Sequence, residues 1–582
     1  MRFILKAFLG AAGPDSGPPG PGIALIRGGG SQTDGMGEKG VAMGATSGLK
    51  TTVAPCREAC PAGVDVPRYI RHIRNGDFNG ALAVIRERIP FPAVCGYACV
   101  HPCESKCARI QYDEAIAIRM LKRTADEKSL GILVYERKAK SSGKKVAVIG
   151  SGPCGLTAAY YLAGMGHAVT VFEALPEAGG MLRYGIPEYR LPNEVVDREI
   201  AAIQRCGVEI VTSSPILSAP ELMRKGYDAV LVASGAWKPL KMGIAGEDSS
   251  QVLEAVAFLR DVNTGALRSV GRKIVVVGGG NSAIDAARAS VRLGARVVLL
   301  YRRSREDMPA SPDEVTEAEA EGVRMEFMAA PIRILKGKVA CVRMAPGPLD
   351  DSGRPRPVPI EGSTFSLTCD TIIMAVGQRA DAGALKLEEN QNGSAKVDPD
   401  LATSTRGIFA AGDAVTGPKT IIEAIAQGRS ACASIDRYLG GEGKIDREIL
   451  QEESGPLPEA KPMGTGRPAT IMRPLKERRT GFDLVESGYT EGMAIAEAER
   501  CLACDIRQYT VEVNPVICKE CGYCRELCHM GIFATSESFN ASGYKPSVVA
   551  SSDRCVGCLK CLYVCPDFAI TIKEGRTGQG TA

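Results

Sequence analysis

Histidine and tryptophan are nearly missing from this 582-residue chain, at four and one, and aromatic residues make up only 5%. His72, His101, His167 and His529 are scattered, and none stands in a Cys2His2 spacing. Sparse aromatics offer no stacking platform for bases. With 71 basic against 67 acidic residues there is no basic stripe either, so nucleic acid is not an expected partner. No apolar run approaches the roughly 18 residues of a membrane-spanning helix, so no span is expected. The opening Met1–Gly10 is weakly apolar, but Lys6 interrupts it and it is short for a signal peptide. No Ser/His/Asp or Cys/His catalytic set stands out, and no CxxxxC pair of the thiol–disulfide reductase kind is present.

Glycine (66) and cysteine (21) are the residues in excess. Sixteen of the cysteines fall into five tight clumps. In a long chain this pattern points to metal or cluster ligands in a reducing cytoplasm, because disulfide frameworks belong mainly to short secreted chains. Cys154, Cys206, Cys341, Cys369 and Cys432 stand alone and read as small apolar core residues. The length implies roughly three to five domains. Residues 1–50 are rich in Gly, Ser and Pro and are expected to be disordered, with Met36 or Met43 as alternative starts.

Two βαβ patterns follow. A strand at Lys145, a Gly-rich turn, a helix to about Gly166 and a strand at Ala168–Phe172 form the first. Its turn, Gly150-Ser151-Gly152-Pro153-Cys154-Gly155, is a full GxGxxG, suited to a pyrophosphate at a helix N-terminus. Glu173, ending the second strand, suits the ribose hydroxyls. The second pattern runs from the strand Lys273–Val277 through a helix to about Leu293 and a strand to Tyr301. Its turn, Gly278-Gly279-Gly280-Asn281-Ser282-Ala283, is a GxGxxA. No acid ends that strand. Arg302 and Arg303 stand there instead, which favours the 2′-phosphate of NADPH and makes NADH the lesser choice; an exposed basic loop is the competing reading. A third segment, Gly407 to Asp413, resembles the second flavin fingerprint, with Gly412 at the turn and Asp413 on the ribitol chain. It follows the second βαβ unit, so the NADPH domain is expected to be inserted within the FAD domain.

The tail carries a duplicated motif. Cys518, Cys521, Cys524 and Cys528 stand in a CxxCxxCxxxC run, and Cys555, Cys558, Cys561 and Cys565 repeat it before Pro566. In such bacterial ferredoxin runs the fourth cysteine crosses to the other cluster. One cubane is therefore expected on Cys518, Cys521, Cys524 and Cys565, and the other on Cys528, Cys555, Cys558 and Cys561. His529 takes the place of the usual proline in the first run.

Gly179-Gly180-Met181-Leu182-Arg183-Tyr184-Gly185-Ile186-Pro187, then Tyr189-Arg190-Leu191-Pro192, and the run from Tyr301 to Ala310 (YRRSREDMPA) closely resemble the glutamate synthase small (beta) subunit family. The likeness extends from Cys56 to about Leu439. Dihydropyrimidine dehydrogenase and the large subunit of NADH-dependent ferredoxin:NADP oxidoreductase are similar over the same region, and a sulfite-reductase-linked flavoprotein shares the added ferredoxin domain. The resemblance implies FAD, NADPH and two further [4Fe–4S] clusters. One departure stands out: the CxxxCP at Cys56 and Cys60 is not preceded by the family's CxxC. A Glu497-Ala498-Glu499-Arg500-Cys501-Leu502-Ala503-Cys504 segment far downstream looks like that missing piece. Cys501 and Cys504 are thus expected to fold back and join Cys56 and Cys107, leaving Cys60, Cys95, Cys99 and Cys103 for the other cluster. Some relatives use a Gln ligand; the aligned position here is Lys122, a poor ligand, and Cys95 is expected to substitute. A zinc ribbon is the competing reading, although zinc sites rarely use such runs.

The expected fold is an α/β multidomain chain: a helical N-terminal Fe–S domain, two nested Rossmann-like dinucleotide domains (FAD, NADPH) and a C-terminal α+β bacterial-type ferredoxin domain. The expected boundaries are 51–143 (helical), 144–272 with 366–440 (FAD), 273–365 (NADPH), 441–510 (a linker carrying CxxC) and 511–582 (ferredoxin). The expected activity passes electrons between NADPH, FAD and four [4Fe–4S] clusters, to or from free ferredoxin or a larger partner. By analogy that partner is a 2-oxoacid:ferredoxin oxidoreductase, a sulfite reductase or a glutamate synthase large subunit. A non-catalytic electron wire is the alternative. Direction of flow and flavin bifurcation stay open at this stage.

Overall fold

The computed structural model describes residues 53–129, 139–350, 353–445 and 464–576. The expectations for residues 1–50 lie outside them, as does part of the 441–510 segment. Among the described residues no helix is long and apolar enough to cross a membrane.

Four helices dominate the N-terminal domain: α1 (Val66–Arg74), α2 (Phe78–Arg86), α3 (Pro92–Ala98) and α4 (Ile118–Lys128). Asp65 caps α1 by accepting from Arg68 N at 3.3 Å, and Asp77 caps α2 by accepting from Gly80 N at 2.8 Å. Helices α3 and α4 approach so closely that a Cβ on Gly96 would lie 2.6 Å from Arg123 Cα.

The first parallel sheet contains β1 (Lys145–Ile149), β2 (Ala168–Phe172), β3 (Val208–Val211) and β4 (Ala229–Val232). The second contains β5 (Val252–Glu254), β6 (Lys273–Val277), β7 (Arg296–Tyr301), β8 (Arg324–Phe327) and β9 (Thr371–Met374). The chain then returns to the first sheet with β10 (Ile408–Ala410). The strand orders are β10-β4-β1-β2-β3 and β5-β9-β6-β7-β8. Strands β1, β4 and β6 are apolar runs buried on both faces, as parallel strands covered by helices must be.

Nesting of one dinucleotide fold in the other is thus observed, but the inner domain is wider than 273–365. Strands β5 and β9 belong to the second sheet. Each is only three or four residues long with no Gly-rich turn beside it, so neither leaves a pattern in the sequence. An antiparallel sheet of Ala329–Leu335, Lys338–Leu349, Pro355–Pro359 and Phe365–Thr368 is attached to this inner domain.

Helix α5 (Pro153–Gly164) follows β1, α6 (Asn193–Arg205) precedes β3, α7 (Asn281–Arg292) follows β6, and α8 (Ile421–Tyr438) closes the first domain. The two dinucleotide domains are keyed together by Tyr189 and Arg190. Arg190 donates to both carboxylate oxygens of Asp285 on α7 at 2.7 Å, and the Arg292 guanidinium lies 3.8 Å from the centre of the Tyr189 ring. Behind them Arg288 and Arg292 share Glu321, which is fully buried, at 2.6–3.0 Å.

From residue 464 the presumed linker is folded rather than extended. Ile471–Met472 pairs with Glu486–Ser487, Val485 N donates to Tyr189 O at 3.0 Å, and Glu486 takes both Arg119 amino groups at 2.7 Å. Polar anchors of this kind carry no apolar periodicity, which is why composition alone suggested a linker. The segment ends in helix α9 (Glu491–Ala498), packed on α1 and α4. In the tail, β11 (Arg507–Val513) pairs antiparallel with β12 (Ile570–Arg576), so the tail domain begins at Arg507 rather than 511.

Replacing Glu321 by alanine would leave the buried Arg292 without a counter-charge and Arg288 with Glu314 alone, a loss of about 3–5 kcal/mol. Urea unfolding followed by circular dichroism should show a clearly lower first midpoint. An unchanged midpoint would rule out this network as a stabilising element.

Candidate functional site

Both Gly-rich turns lie where a strand passes into a helix. In the first, Gly150 has φ +104°, and a Cβ there would meet Ala233 O at 2.4 Å; one on Gly155 would meet Gly150 O at 2.1 Å. Gly152 differs, because a Cβ on it would meet nothing within 4 Å. That open space sits at the N-terminus of α5, where backbone N–H groups and the helix dipole favour a phosphate. Gly180 closes against Gly152, where a Cβ on Gly180 would lie 2.9 Å from Gly152 Cα. Glu173, buried at the end of β2, accepts from Ser151 N at 3.0 Å, Ser151 Oγ at 2.5 Å and Leu175 N at 2.8 Å. Gly412 N donates to Gln427 Oε1 at 2.7 Å, and Asp413 accepts from Lys419 N at 3.1 Å. Burial raises the Asp413 carboxyl to about 6.

The second turn repeats the first. A Cβ on Gly278 would meet Ala375 O at 2.3 Å, whereas Gly280 faces open space at the start of α7. Asn281 Oδ1 accepts from Ser311 N at 3.1 Å, and Ala283 is fully buried in the third glycine position. The two arginines after β7 part company. Arg302 is exposed; Arg303 is buried, pairs with Asp350 and donates to Pro355 O at 2.9 Å. Arg303 is therefore withdrawn as a 2′-phosphate contact.

The thiols are gathered from distant parts of the chain. Cys56, Cys107, Cys501 and Cys504 line one small cavity of about 20 Å³. Burial raises the Cys56 thiol, and the neighbouring Cys107, Cys501 and Cys504 raise it further; Cys501 is pushed up to about 12 by burial, with Cys107 and Asp505 adding to it. Cys60, Cys95, Cys99 and Cys103 surround the buried Lys122. Burial works against the Lys122 ammonium, and the charge of the four cysteines as thiolates outweighs it and holds it above its ordinary value. Cys99 Sγ accepts from His101 N at 3.3 Å.

In the tail, Cys561 is pushed up to about 12 by burial, with Cys558, Cys555 and Cys528 adding to it. Cys524 lies with Cys521 and Cys518, its Sγ 3.2 Å from Ser547 Oγ. Cys565 Sγ accepts from Ala569 N at 3.3 Å, and a 3.0 Å pair between Lys519 and Asp567 ties that turn to the Cys518 loop. His529 is exposed. Among the described residues no three of these side chains close to metal-bonding distances, so the thiols are assembled but not drawn onto a point. Cys154, Cys206, Cys341, Cys369 and Cys432 are all buried.

What brings Cys501 and Cys504 home escaped the sequence reading. Arg500 and Glu497 are fully buried and bonded at 2.8 and 2.9 Å. Arg500 also donates to Asp113 at 2.9 Å and to Glu114 O at 2.8 Å, while Glu497 accepts from Ala117 N at 2.7 Å. Arg109 grips Asp113 through two 2.7 Å bonds and reaches Arg500 O at 3.2 Å. Two residues further on, Leu502 packs with Ala108 and Val556, bordered by Cys504 on one side and Cys558 on the other; Tyr112 OH donates to Val556 O at 3.2 Å.

Residues 144–428 match the pyridine nucleotide-disulphide oxidoreductase family, 31–131 the dihydropyrimidine dehydrogenase domain II 4Fe-4S cluster family, and 517–569 the 4Fe-4S dicluster family. The chain is 44% identical over 500 residues to the NADP(+)-dependent formate dehydrogenase subunit beta of Moorella thermoacetica, covering 78% of this chain and 70% of that one. It is 38% identical over 515 residues to the NADPH-Fe(3+) oxidoreductase subunit beta of Geobacter sulfurreducens, covering 78% and 75%. It is 33% identical over 417 residues to the glutamate synthase [NADPH] small chain of Escherichia coli, covering 66% and 88%. Nested dinucleotide domains between two iron–sulfur domains define a class of pyridine-nucleotide oxidoreductases. Within that class the chain belongs to the glutamate synthase small-subunit-like family, extended by a C-terminal 4Fe-4S dicluster domain.

Replacing Arg500 by leucine would strand the buried Glu497, leave Asp113 to Arg109 alone and loosen the segment ahead of Cys501. Iodoacetamide should then label Cys501 and Cys504 of the metal-free protein many-fold faster than in the parent, with Cys341 unchanged as the internal control. Equal labelling of Cys501 in the two proteins would contradict the anchoring role.

Proposed function

We propose that this chain exchanges electrons between NADPH and a partner redox subunit, using bound FAD and four [4Fe–4S] clusters. One observation carries the reading. Thiols from opposite ends of the chain, Cys56 and Cys107 with Cys501 and Cys504, share one cavity in a molecule that also holds two nucleotide cradles. The open space at Gly152 and Gly280, each at a helix N-terminus, fits the pyrophosphates of two dinucleotides.

In this reading Gly150, Gly152, Gly155 and Gly180 frame the FAD pyrophosphate, Glu173 stands at the adenosine ribose, and Gly412 with Asp413 meets the ribitol. Gly278, Gly280, Asn281 and Ala283 frame NADPH, and the exposed Arg302 is the cation available to its 2′-phosphate. Cys56, Cys107, Cys501 and Cys504 hold one cluster; Cys60, Cys95, Cys99 and Cys103 hold a second. In the tail, Cys528, Cys555, Cys558 and Cys561 hold a third, and Cys518, Cys521, Cys524 and Cys565 the fourth. When bound, the flavin converts two-electron hydride chemistry into single-electron transfer and each cluster carries one electron. The chain's own groups bind, orient and desolvate; none is required as an acid or base. Relatives named as beta subunits or small chains support a partner subunit, and clustered free thiols support a reducing, cytoplasmic setting.

NADPH added anaerobically to the iron-loaded protein should bleach its visible absorption; no bleaching would reject the activity. The double variant Cys501→Ala, Cys504→Ala should carry about 12 rather than about 16 iron atoms per chain. Full iron in that variant would reject the assignment of those ligands.

A pH dependence follows from Asp413. Its raised carboxyl is ionised above about pH 6 and protonated below, and the ionised form is the better acceptor for a flavin hydroxyl. FAD affinity, followed by fluorescence, should weaken as pH falls through about 6. Asp413→Asn should flatten that profile; a profile unaltered in the variant would assign the dependence elsewhere.

A further inference from the structure

Lys122 lies in the middle of α4, 4% exposed, on a helix packed against α3, which carries Cys95. An ammonium withdrawn from water costs several kcal/mol unless an anion meets it. Among the described residues Lys122 makes no ion pair with a carboxylate, and the groups that act on it most strongly are Cys99, Cys95, Cys103 and Cys60. These come from four separate pieces of chain: the end of α3, α3 itself, the short helix Pro102–Ser105 and the turn after Pro55–Glu58. Nearby charges of other kinds are spent elsewhere. Glu199 on α6, which also acts on Cys95, accepts from Ala93 N and Val94 N at 3.0 and 2.9 Å; Arg119 is held by Glu486.

Four neutral thiols give a buried ammonium no counter-charge. Four thiolates around a cubane do, because that unit carries a net charge of about −2 when oxidised and about −3 when reduced, and net charge is one of the determinants of cluster potential. We propose that Lys122 is the fixed counter-charge of the cluster held by Cys60, Cys95, Cys99 and Cys103, and that it raises that cluster's reduction potential above what the four thiolates alone would set. The proposal rests on the cluster assignment made above. The couple is a one-electron transfer in which no bond forms or breaks: the cluster gains one electron as its donor loses one. A positive charge at fixed distance stabilises the more negative state, which gives the direction of the effect. Lys122 is thus a tuning residue rather than a ligand. Its position on a rigid helix suits that task better than a mobile surface lysine would.

The test uses full-length protein loaded with iron and sulfide, poised with dye mediators and read by electron paramagnetic resonance. In Lys122→Met one cluster signal should move to lower potential, with its reduced-to-oxidised ratio at fixed ambient potential falling at least tenfold, equivalent to about 59 mV for one electron. The other signals should stay in place and iron should stay at about 16 atoms per chain. Lys122→Arg, which keeps the charge, should restore most of the shift. Unmoved potentials at full iron would overturn the proposal. So would iron falling to about 12 atoms in both Lys122→Met and Lys122→Gln, since the lysine would then be needed to hold the cluster rather than tune it. A parent protein without iron–sulfur signals would instead defeat the cluster assignment itself.

Discussion

A guanidinium with no exposure to water, that of Arg500, is tolerated only because Glu497, Asp113 and the Glu114 carbonyl meet it from three directions. Glu497 lies on Arg500's own segment, whereas Asp113 and Glu114 lie on one loop of the helical domain, so the network forms only when the segment 491–504 lies against that domain. Buried ion pairs contribute little net stability when complete but are costly when broken. That asymmetry makes the Arg500 network a device for register: a displaced segment would leave several charges stranded at once. The cavity shared by Cys56, Cys107, Cys501 and Cys504 depends on it directly, and so does the contact of Leu502 with Val556 that seats the tail.

A related constraint shapes the nucleotide cradles. In both turns the outer glycine touches the backbone of the neighbouring strand's end, Ala233 in one case and Ala375 in the other, while the middle glycine faces open space. The same geometry has been built twice with different third residues. Gly155 allows α5 to sit against its turn at a distance that excludes any Cβ. Ala283 shows that α7 stands off far enough for a methyl group. Tyr189 and Arg190 then set the orientation of the second cradle against the first by engaging Arg292 and Asp285 across the seam.

Much of this architecture is legible in sequence, and the parts that are not share a physical cause. The strands at Lys145, Ala168 and Lys273 announce themselves because buried parallel strands are unbroken apolar runs next to glycine turns. The return of Ile408–Ala410 to the first sheet is readable from the likeness of Gly407–Asp413 to the second flavin fingerprint, which made the nesting predictable. Strands β5 and β9 are too short to leave such a trace. The segment after residue 464 is held by Arg119, Glu486 and Arg467, whose pairing depends on three-dimensional proximity and on no spacing rule. At the candidate site the sixteen cysteines could be named from their motifs. Lys122 could be named only as a non-ligand, because a lysine in a helix gives no sign of whether it meets water or thiols. Arg303 shows the converse limit: a plausible phosphate contact was already committed to Asp350.

Because Cys501 and Cys504 lie nearly four hundred residues after Cys107, the helical domain is not a contiguous stretch of chain. Excising residues 51–143 would take half of one thiol set and leave the other half behind. Proteolytic trimming or gene splitting ahead of residue 501 would therefore reach back into a domain at the opposite end of the polypeptide. The segment that carries Cys501 and Cys504 is coupled to the integrity of the N-terminal domain, so the two must be inherited together.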